Sequence, residues 1–225
     1  MREITNEDGL IIVEFHNAKI ILEELHYDSI YHEHLYYHTI QSMSTLLNKH
    51  GIYPFDWSEG PISGGSTILY CKKVNIGQSE ELKRAKVEEI VAGVHLEEKW
   101  LEFGRRSEVH KKELKDCLEE YKTRGKVIIG YGASARSSTM TNYCGIDSTI
   151  LSCIIDNSKL KQGLYTAGTC TRIVEKEVGL GLKPDVILLL AWNFKDEIIE
   201  EIKESGWKGE IIIPLPWKIQ KIILV

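Results

Sequence analysis

The stretch "KVIIGYGASARSSTMTNYCG", residues 126–145, joins an apolar segment to a polar one through two glycines. Gly130, Gly132 and Ala135 have the G-x-G-x-x-G/A spacing. In that motif the first glycine permits a tight turn and the second lets a phosphate approach the backbone, while the small third residue lets helix and strand pack closely. The stretch therefore predicts a strand, a turn and a helix of a Rossmann-like unit.

Two interpretations of this turn remain open from the residues alone. Asp156 ends the next predicted strand, where a ribose-binding acid is expected, and Arg136 with its neighbouring hydroxyl groups suits phosphate or sugar contacts. In the other interpretation, the small residues only allow a tight connection between strand and helix. The sequence context, with a strand before the turn and a helix after it, favours a phosphate-bearing ligand.

Alternating apolar and amphipathic segments follow the turn. "TILSCIIDN", "DVILLLAWN" and "EIIIPLP" predict strands, and "KDEIIEEIKESG" predicts a helix that stops at Gly206. Strands that alternate with helices imply parallel pairing with right-handed crossovers. Residues 125–225 are therefore predicted to form a Rossmann-like parallel sheet domain.

Residues 79–124 are charged and predict a long helical connector. The acidic start "SEEL" at Ser79 suits a helix N-terminus, where the backbone dipole favours negative charge. Gly104 predicts an interruption. An apolar stripe predicts the packing face of the helix: Val87, Ile90, Val91, Val94 and Leu101.

Residues 1–78 predict part of a second α/β sheet. "GLIIVEF" is a continuous apolar run, which predicts a buried strand, and "IQSMSTLLNKHG" predicts a helix that ends near Gly51. "IYPFDWSE" and "STILYCKK" predict two strands around the turn "GPISGG". The expected fold class is therefore α/β, with the Rossmann-like domain preceded by a partial sheet and the helical connector.

The composition bounds the class of protein. In 225 residues, 43% are hydrophobic and 27% charged, with a net charge of -5, which indicates a soluble globular protein and favours no nucleic-acid partner. The apolar runs are too short to cross a membrane, and the N-terminus lacks a signal-peptide core. Five cysteines without a C-x-x-C pair predict free thiols and a cytoplasmic location.

Histidines are dense in "HYDSIYHEHLYYHT", residues 26–39. His34 and His38 are four residues apart, but no glutamate follows His34 as in a metalloprotease helix, and no metal site is predicted. Two interpretations remain. The side chains either satisfy a loop at a sheet edge, or Tyr31, Glu33 and His34 act as acid and base, since an imidazole beside a carboxylate titrates near neutral pH.

Five segments carry a resemblance to a known family: "YDSIYHEHLYY", "GPISGGSTILY", "GYGASARSSTMTNYCGI", "IIDNSKLKQGLYTAGT" and "LLLAWNFKDEI". In this order they resemble the C-terminal part of S-adenosylmethionine-dependent C-methyltransferases that act on nucleotide-diphosphate keto-deoxysugars. The resemblance implies that residues 1–78 are the end of a methyltransferase domain, 79–124 a helical connector and 125–225 a nucleotide-sugar-binding domain.

The resemblance also implies roles for particular residues. His34 would be the general base that removes a proton beside the keto group, with Tyr31 and Glu33 positioning the sugar or stabilising the enolate. S-adenosyl-L-methionine would supply the methyl group to the carbanion. The glycine turn and the "DNSKLKQG" loop would hold the nucleotide diphosphate. The substrate-binding candidates are Gly64, Gly65, Ser66, Gly132, Ala133, Ser134, Ala135, Arg136, Ser137, Asn142, Asp156, Asn157, Lys161, Trp192 and Asn193.

The chain also departs from the family's pattern. No glycine-rich methyl-donor signature precedes "GLIIVEF", the cysteine-rich zinc lobe is absent, and Ser63 stands where the family tends to have histidine. We therefore expect the chain to be inactive alone and a separate chain with the N-terminal methyltransferase half to be a possible partner. Two alternatives are an NAD-binding oxidoreductase, with Asp156 on the ribose, and a nucleotide-sugar-binding module without catalysis.

Overall fold

The computed structural model describes the backbone of residues 1–225 and every side chain except that of Ser63. The chain divides into two compact units. Unit 1 comprises residues 1–24 and 34–104, and unit 2 comprises residues 25–33 and 105–225. The domain boundaries predicted after residues 78 and 124 concern the family's domains and stay predictions.

Unit 1 is built on a three-stranded antiparallel sheet of order β1-β3-β2. Its elements, in chain order, are β1 (Ile11–Phe15), α1 (Ala18–Glu24), α2 (Ile40–Lys49), β2 (Tyr53–Gly60), β3 (Ser66–Lys72), α3 (Glu80–Ala92) and the start of α4 (Glu97–Thr123), which continues into unit 2. All three strands and α2 were predicted, and α2 ends as expected, with Gly51 at a φ of 67°.

The prediction that β1 is a buried strand was wrong. Its side chains alternate between the two faces of the sheet, so that Ile11 is 4% exposed and Ile12 55%. Only one face of the sheet carries the apolar core, which gathers Leu69 of β3 with residues of α2 and α3. A continuous apolar run therefore formed a half-buried edge strand.

The helical break was also predicted at the wrong glycine. Helix α3 begins at Ser79, whose hydroxyl group accepts the Leu82 N–H, and ends where Gly93 adopts a left-handed φ of 70°. Helix α4 then continues through Gly104 without interruption. Gly93 ends the helix because a left-handed C-terminal residue favours glycine, whereas Gly104 keeps helical geometry.

The apolar stripe predicted for the connector is mostly exposed. Val94 alone is buried among its five residues, since Val87, Ile90, Val91 and Leu101 are each more than half exposed. The buried side of α3 consists of Leu82, Ala85 and Glu89. The predicted stripe has helical spacing, but it lies on the exposed side of the helix. The side that is buried carries a carboxylate, which the apolar pattern does not indicate.

The contacts of Glu89 explain why this side of α3 is the buried one. Its Oε1 accepts the backbone N–H of Ile40 at 2.6 Å and the side-chain amide of Asn17 at 3.0 Å, and its Oε2 accepts the N–H of Gln41 at 3.2 Å. The carboxylate thus satisfies two N–H groups at the start of α2, which a helix cannot satisfy itself. A charged residue faces inward on α3 because it caps α2.

Unit 2 is built on a six-stranded sheet of order β6-β5-β4-β7-β8-β9, parallel except for β9. Its further elements are β4 (Ile128–Tyr131), α5 (Ala135–Cys144), β5 (Ile154–Ile155), β6 (Ile173–Val174), α6 (Lys176–Gly181), β7 (Val186–Leu189), α7 (Lys195–Glu204), β8 (Gly209–Ile213) and β9 (Gln220–Leu224). This confirms the predicted α/β class and the Rossmann-like sheet.

The two central strands of unit 2 are buried along their whole length. Every residue of β4 and β7 is buried, and Ile128 pairs with Val186 at the start of a four-residue parallel register. The predicted strand "TILSCIIDN" is reduced to Ile154–Ile155, and the antiparallel β9 was not predicted. Its side chains alternate in exposure, as an edge strand with one packed face requires.

The five cysteines are all free thiols. Cys71, Cys144 and Cys153 are buried, Cys117 is half-buried and Cys170 is exposed. Burial raises the pKa of the Cys71, Cys144 and Cys153 thiols to about 11. Within the part of the chain that the structure describes, no helix is both long and apolar enough to cross a membrane.

Candidate active site

The order of the strands in unit 2 reverses between β4 and β7. From β4 the chain proceeds outward through β5 and β6, and it returns to the other side of β4 with β7 and β8. In open α/β sheets the ligand crevice lies outside the carboxyl ends of the strands at such a reversal. The two segments that flank it here are the glycine turn after Tyr131 and the loop from Leu190 to Asn193.

The glycine turn packs closely on its neighbours. Gly132 has a φ of 96°, and a Cβ atom there would lie 2.4 Å from the Cβ of Ala191. A Cβ atom at Gly130 would lie 2.9 Å from Cγ1 of Ile154. Both glycines are therefore required by the packing of the turn against β5 and the loop after β7, independently of any ligand.

The polar groups of the turn bond mainly to one another. The N–H of Gly132 donates to the Ile155 carbonyl at 2.7 Å. Ser134 and Ser137 form a reciprocal capping box at the start of α5, in which each hydroxyl accepts the other residue's N–H at 3.1 Å. The hydroxyl groups that predicted sugar contacts thus cap the helix.

Asp156 holds the turn in place. Its Oδ2 accepts the N–H of Ala133 at 2.8 Å and the ammonium group of Lys161 at 3.1 Å. Lys161 also donates to the carbonyl of Ala133 at 2.8 Å. Asp156, the predicted ribose-binding acid, therefore bonds within its own part of the chain. Lys161 uses two of its three N–H donors in these contacts.

Asn157 belongs to a neighbouring polar group at the same edge. Its exposed side chain lies near Tyr131 and Glu201, and Glu201 accepts from the Tyr131 hydroxyl at 2.9 Å and from Lys176 at 2.8 Å. Burial, and then the hydrogen bond to Glu201, raises the pKa of Tyr131 well above its usual value. The phenol therefore stays protonated and acts as a donor.

The stretch Tyr27–Ser29 is buried at this edge of unit 2 and packs on α5. Asp28 is fully buried. Its carboxylate accepts hydrogen bonds from Nε of Arg136 at 3.0 Å and from Nη2 of Arg136 at 2.9 Å. It also accepts a hydrogen bond from Nε1 of Trp192 at 2.8 Å. Because Arg136 follows β4 and Trp192 follows β7, one carboxylate bridges the two sides of the strand-order reversal.

Arg136 and Trp192 were both predicted to contact the substrate. Arg136 is 9% exposed and Trp192 4%. The guanidinium carbon lies 4.6 Å from the centre of the Trp192 ring, and the His26 ring packs against the same indole with centroids 4.8 Å apart. These side chains hold the segment around Asp28, which the sequence-based candidates did not include.

Tyr27 is anchored beside Asp28. Its hydroxyl group lies 3.0 Å from Nδ1 of His110, and Nε2 of His110 lies 2.7 Å from the carbonyl oxygen of Pro214. A carbonyl only accepts, so Nε2 carries the hydrogen, and Tyr27 donates to Nδ1. Burial lowers the pKa of His110, which keeps the imidazole neutral.

Tyr31 and Glu33 follow this anchor in unit 2. Tyr31 is partly buried, whereas His32 and Glu33 are exposed. Burial raises the pKa of Tyr31, the charge of Glu33 raises it further, and the charge of Arg136 opposes the shift. Tyr31 is therefore a protonated phenol within electrostatic reach of Arg136 and Asp28.

The remaining candidates lie in unit 1 or away from the turn. His34 belongs to unit 1, where its ring meets that of Tyr37 edge-on with centroids 6.5 Å apart. Ser66 is buried and donates to Glu14 at 2.6 Å. Gly64 and Gly65 precede it, both with positive φ. The Ser63 side chain, where the family's histidine was expected, lies outside the described residues.

Asn142 and Asn193 occupy different positions in unit 2. The Asn142 amide donates to the carbonyls of Ser138 at 2.8 Å and Ala167 at 3.0 Å, roughly 10 Å along α5 from the glycine turn. Asn193 is partly exposed beside Trp192. Only Asn193 therefore lies at the edge where the strand order reverses.

Comparison with known proteins bears on this arrangement. Residues 61–216 match the family model described as the C-methyltransferase C-terminal domain. The chain belongs to this family. The chain is also similar to C-methyltransferase NovU of Streptomyces niveus, with 31% identity over 217 residues, which cover 93% of this chain and 50% of that protein. The family match thus covers most of the chain, and the chain spans about half the length of this relative.

The family resemblance implies S-adenosyl-L-methionine as the methyl donor, and two observations on the described residues weigh against its binding to them. In unit 1, β1 is followed by His16 and Asn17 and not by a glycine turn. In unit 2 the glycine turn engages Gly132, Ala133 and Ser134 N–H groups within the chain. No cluster of metal-ligating side chains occurs among the residues described either.

Proposed function

We propose that this C-methyltransferase domain binds a nucleotide-diphosphate keto-deoxysugar and supplies the base that removes the proton beside its keto group. The observation that carries the proposal is the burial of Tyr27–Ser29 at the carboxyl edge of the parallel sheet, in contact with residues that follow β4 and β7. The next residues along the chain are those that the family resemblance marks for acid–base chemistry.

His34 is the proposed base, and Tyr31 the proposed donor to the oxygen of the enolate. An imidazole titrates near neutral pH and can take up a proton from carbon, whereas the raised pKa of Tyr31 keeps its phenol protonated. A hydrogen bond from such a phenol is strongest when negative charge develops on the substrate oxygen. Glu33, which precedes His34 directly, is proposed to orient the sugar.

The nucleotide diphosphate is proposed to bind beside Lys161 and Asn193. Lys161 retains an N–H donor beyond the two that it gives to Ala133 and Asp156, and its side chain is 42% exposed. Arg136 is not assigned to a phosphate, because its guanidinium is already paired with the buried Asp28. The recognition of phosphate thus rests on fewer charges than the sequence suggested.

Two contacts weigh against the alternative of an NAD-binding oxidoreductase. The carboxylate of Asp156, which would bind the ribose, accepts from Ala133 and Lys161. The methyl donor is proposed to bind to a methyltransferase part beyond these residues, on this polypeptide or on a partner chain.

Deuterium exchange into the substrate tests the proposed base without a methyl donor. The chain is incubated in D2O with thymidine-diphosphate 4-keto-6-deoxyglucose, and NMR follows the loss of the carbon-bound protons beside the keto group. The chain is expected to accelerate the exchange over a protein-free sample, and His34→Ala to reduce the rate about 100-fold, the lower end of the range for general-base catalysis.

His32→Ala is the matched control, because it removes an exposed imidazole two residues away. Its exchange rate is expected to stay within about twofold of the unmodified chain. Calorimetric titration with thymidine diphosphate and with NAD completes the test. Binding of the first without exchange would leave a non-catalytic module; binding of NAD alone would overturn the proposal.

A further inference from the structure

We propose that Asp28 is a positioning residue, which fixes the segment carrying Tyr31 and Glu33 through its bonds to Arg136 and Trp192. This inference rests on the proposed function, since it concerns how the acid–base segment is held. It adds a residue that neither the sequence analysis nor the family match assigned to the site.

The contacts of Asp28 involve three separate parts of unit 2. The carboxylate belongs to the segment 25–33, Arg136 lies in the first turn of α5, and Trp192 follows β7. Three donors reach its two oxygens at 2.8–3.0 Å. A planar guanidinium that meets a carboxylate through two parallel bonds fixes direction as well as distance.

The energetics of this pair favour a geometric role. The Asp28 side chain is fully buried, and that of Arg136 is 11% exposed. Desolvation of two charges offsets most of their attraction, so a buried ion pair adds little net stability over an apolar pair. It nevertheless permits few alternative arrangements, because either partner left alone would be a buried unpaired charge.

The backbone on both sides of Asp28 supports the same inference. Leu25 is buried with a left-handed φ of 63°, a conformation that a branched side chain adopts only when its surroundings enforce it. After Asp28, the N–H groups of Ser29 and Ile30 bond to the carbonyls of His26 and Tyr27 at 3.0 and 3.1 Å. Tyr31 thus follows directly from a fixed turn.

Amide hydrogen exchange of the full chain, measured by NMR, tests the anchor. In Asp28→Asn, the exchange rates of the Ser29 and Ile30 amides are expected to rise at least tenfold, while those of β4 and β7 stay unchanged. The Trp192 indole N–H signal, assigned with Trp192→Phe, is expected to move upfield. Glu108→Gln is the control, because it removes an exposed carboxylate on α4 that accepts from the hydroxyl group of Tyr143.

Deuterium exchange into the keto sugar separates positioning from general stability. Asp28→Asn is expected to lower the maximal rate at least tenfold and to leave the thymidine diphosphate Kd within about twofold. Unchanged Ser29 and Ile30 amide exchange, or an unchanged maximal rate in a chain that catalyses exchange, would overturn the proposal. If Asp28→Asn does not fold, the same measurements are made on Arg136→Lys and decide whether the positioning role holds. This variant retains the charge but loses the paired geometry.

The two proposals can fail separately. If the unmodified chain neither catalyses exchange nor binds thymidine diphosphate, the proposed function fails. The amide exchange of Ser29 and Ile30 still shows whether Asp28 holds the segment, because that measurement needs no substrate.

Discussion

The hydroxyl group of Tyr27 and Nδ1 of His110 lie 3.0 Å apart in the interior of unit 2, although 83 residues separate them in sequence. The pair is completed by the bond from His110 to the Pro214 carbonyl. His110 can accept from Tyr27 only while Nδ1 is unprotonated. The folded state of unit 2 therefore selects one protonation state of this imidazole.

This selection predicts a loss of stability in acid. Burial lowers the pKa of His110 in the folded chain, against the weaker opposing effects of its hydrogen bond to Pro214 and of the charges of Glu113 and Asp28, while the unfolded pKa is about 6.5. The stability that neutral His110 contributes is fully present above the unfolded pKa and is lost as pH falls through the lowered pKa of the folded chain. Urea unfolding between pH 7.5 and 5 measures it, and His110→Gln is expected to flatten the pH dependence; an unaltered slope would contradict the prediction.

Gly132→Ala is expected to destabilise the chain by about 2–4 kcal/mol, because it combines steric overlap with a positive φ. The new Cβ atom would meet Ala191 at 2.4 Å. Gly163→Ala is the matched control, with a φ of 85° but no atom within 4 Å, and is expected to cost about 1–2 kcal/mol. Chemical denaturation of both variants gives the comparison, and equal losses would show that contact with Ala191 is unimportant.

Glu89→Ala is expected to lower the stability of unit 1 by about 3 kcal/mol, since it removes the acceptor of the buried Ile40 N–H and of the partly buried Gln41 N–H. Glu88→Ala, on the exposed side of the same helix, removes only a 3.8 Å ion pair with Lys19 and is expected to cost less than about 0.5 kcal/mol. Thermal unfolding of the two variants distinguishes them. Similar midpoints would rule out the capping role.

Lys161→Met is expected to weaken the binding of thymidine diphosphate about tenfold, the loss of one charge-assisted hydrogen bond. Lys159→Met removes an equal charge from an exposed position two residues earlier. Its Kd is expected to change by less than about twofold. Isothermal titration calorimetry of both variants provides the test, and equal affinities would remove Lys161 from the proposed phosphate site.

The sequence predicted what local patterns determine. The strand, turn and helix around Gly132 were confirmed, because glycine spacing and apolar periodicity act within a few residues. The helical break fell at Gly93, which has a left-handed φ of 70°, and not at Gly104, which stays inside α4; glycine permits both conformations, so the residue type did not decide between them. Glu89 reversed the expected inner face of α3 because it bonds to N–H groups about 49 residues earlier in the chain.

The sequence did not predict Asp28, although it singled out Arg136 and Trp192. The bond from Arg136 to Asp28 spans 108 residues, and that from Trp192 spans 164. No periodicity or local motif reports a contact at such separations. A single carboxylate in the aromatic stretch "YDSIY" was the available signal, because a buried acid requires a cationic or hydrogen-bonding partner.

Asp28 also gives the Rossmann-like sheet an unusual occupant. Where such sheets hold the anionic group of a free ligand near the first turn of a helix, this chain presents a carboxylate of its own to Arg136, in that turn of α5. Because Asp28 belongs to the same chain as Arg136, this contact does not depend on the concentration of any free anion.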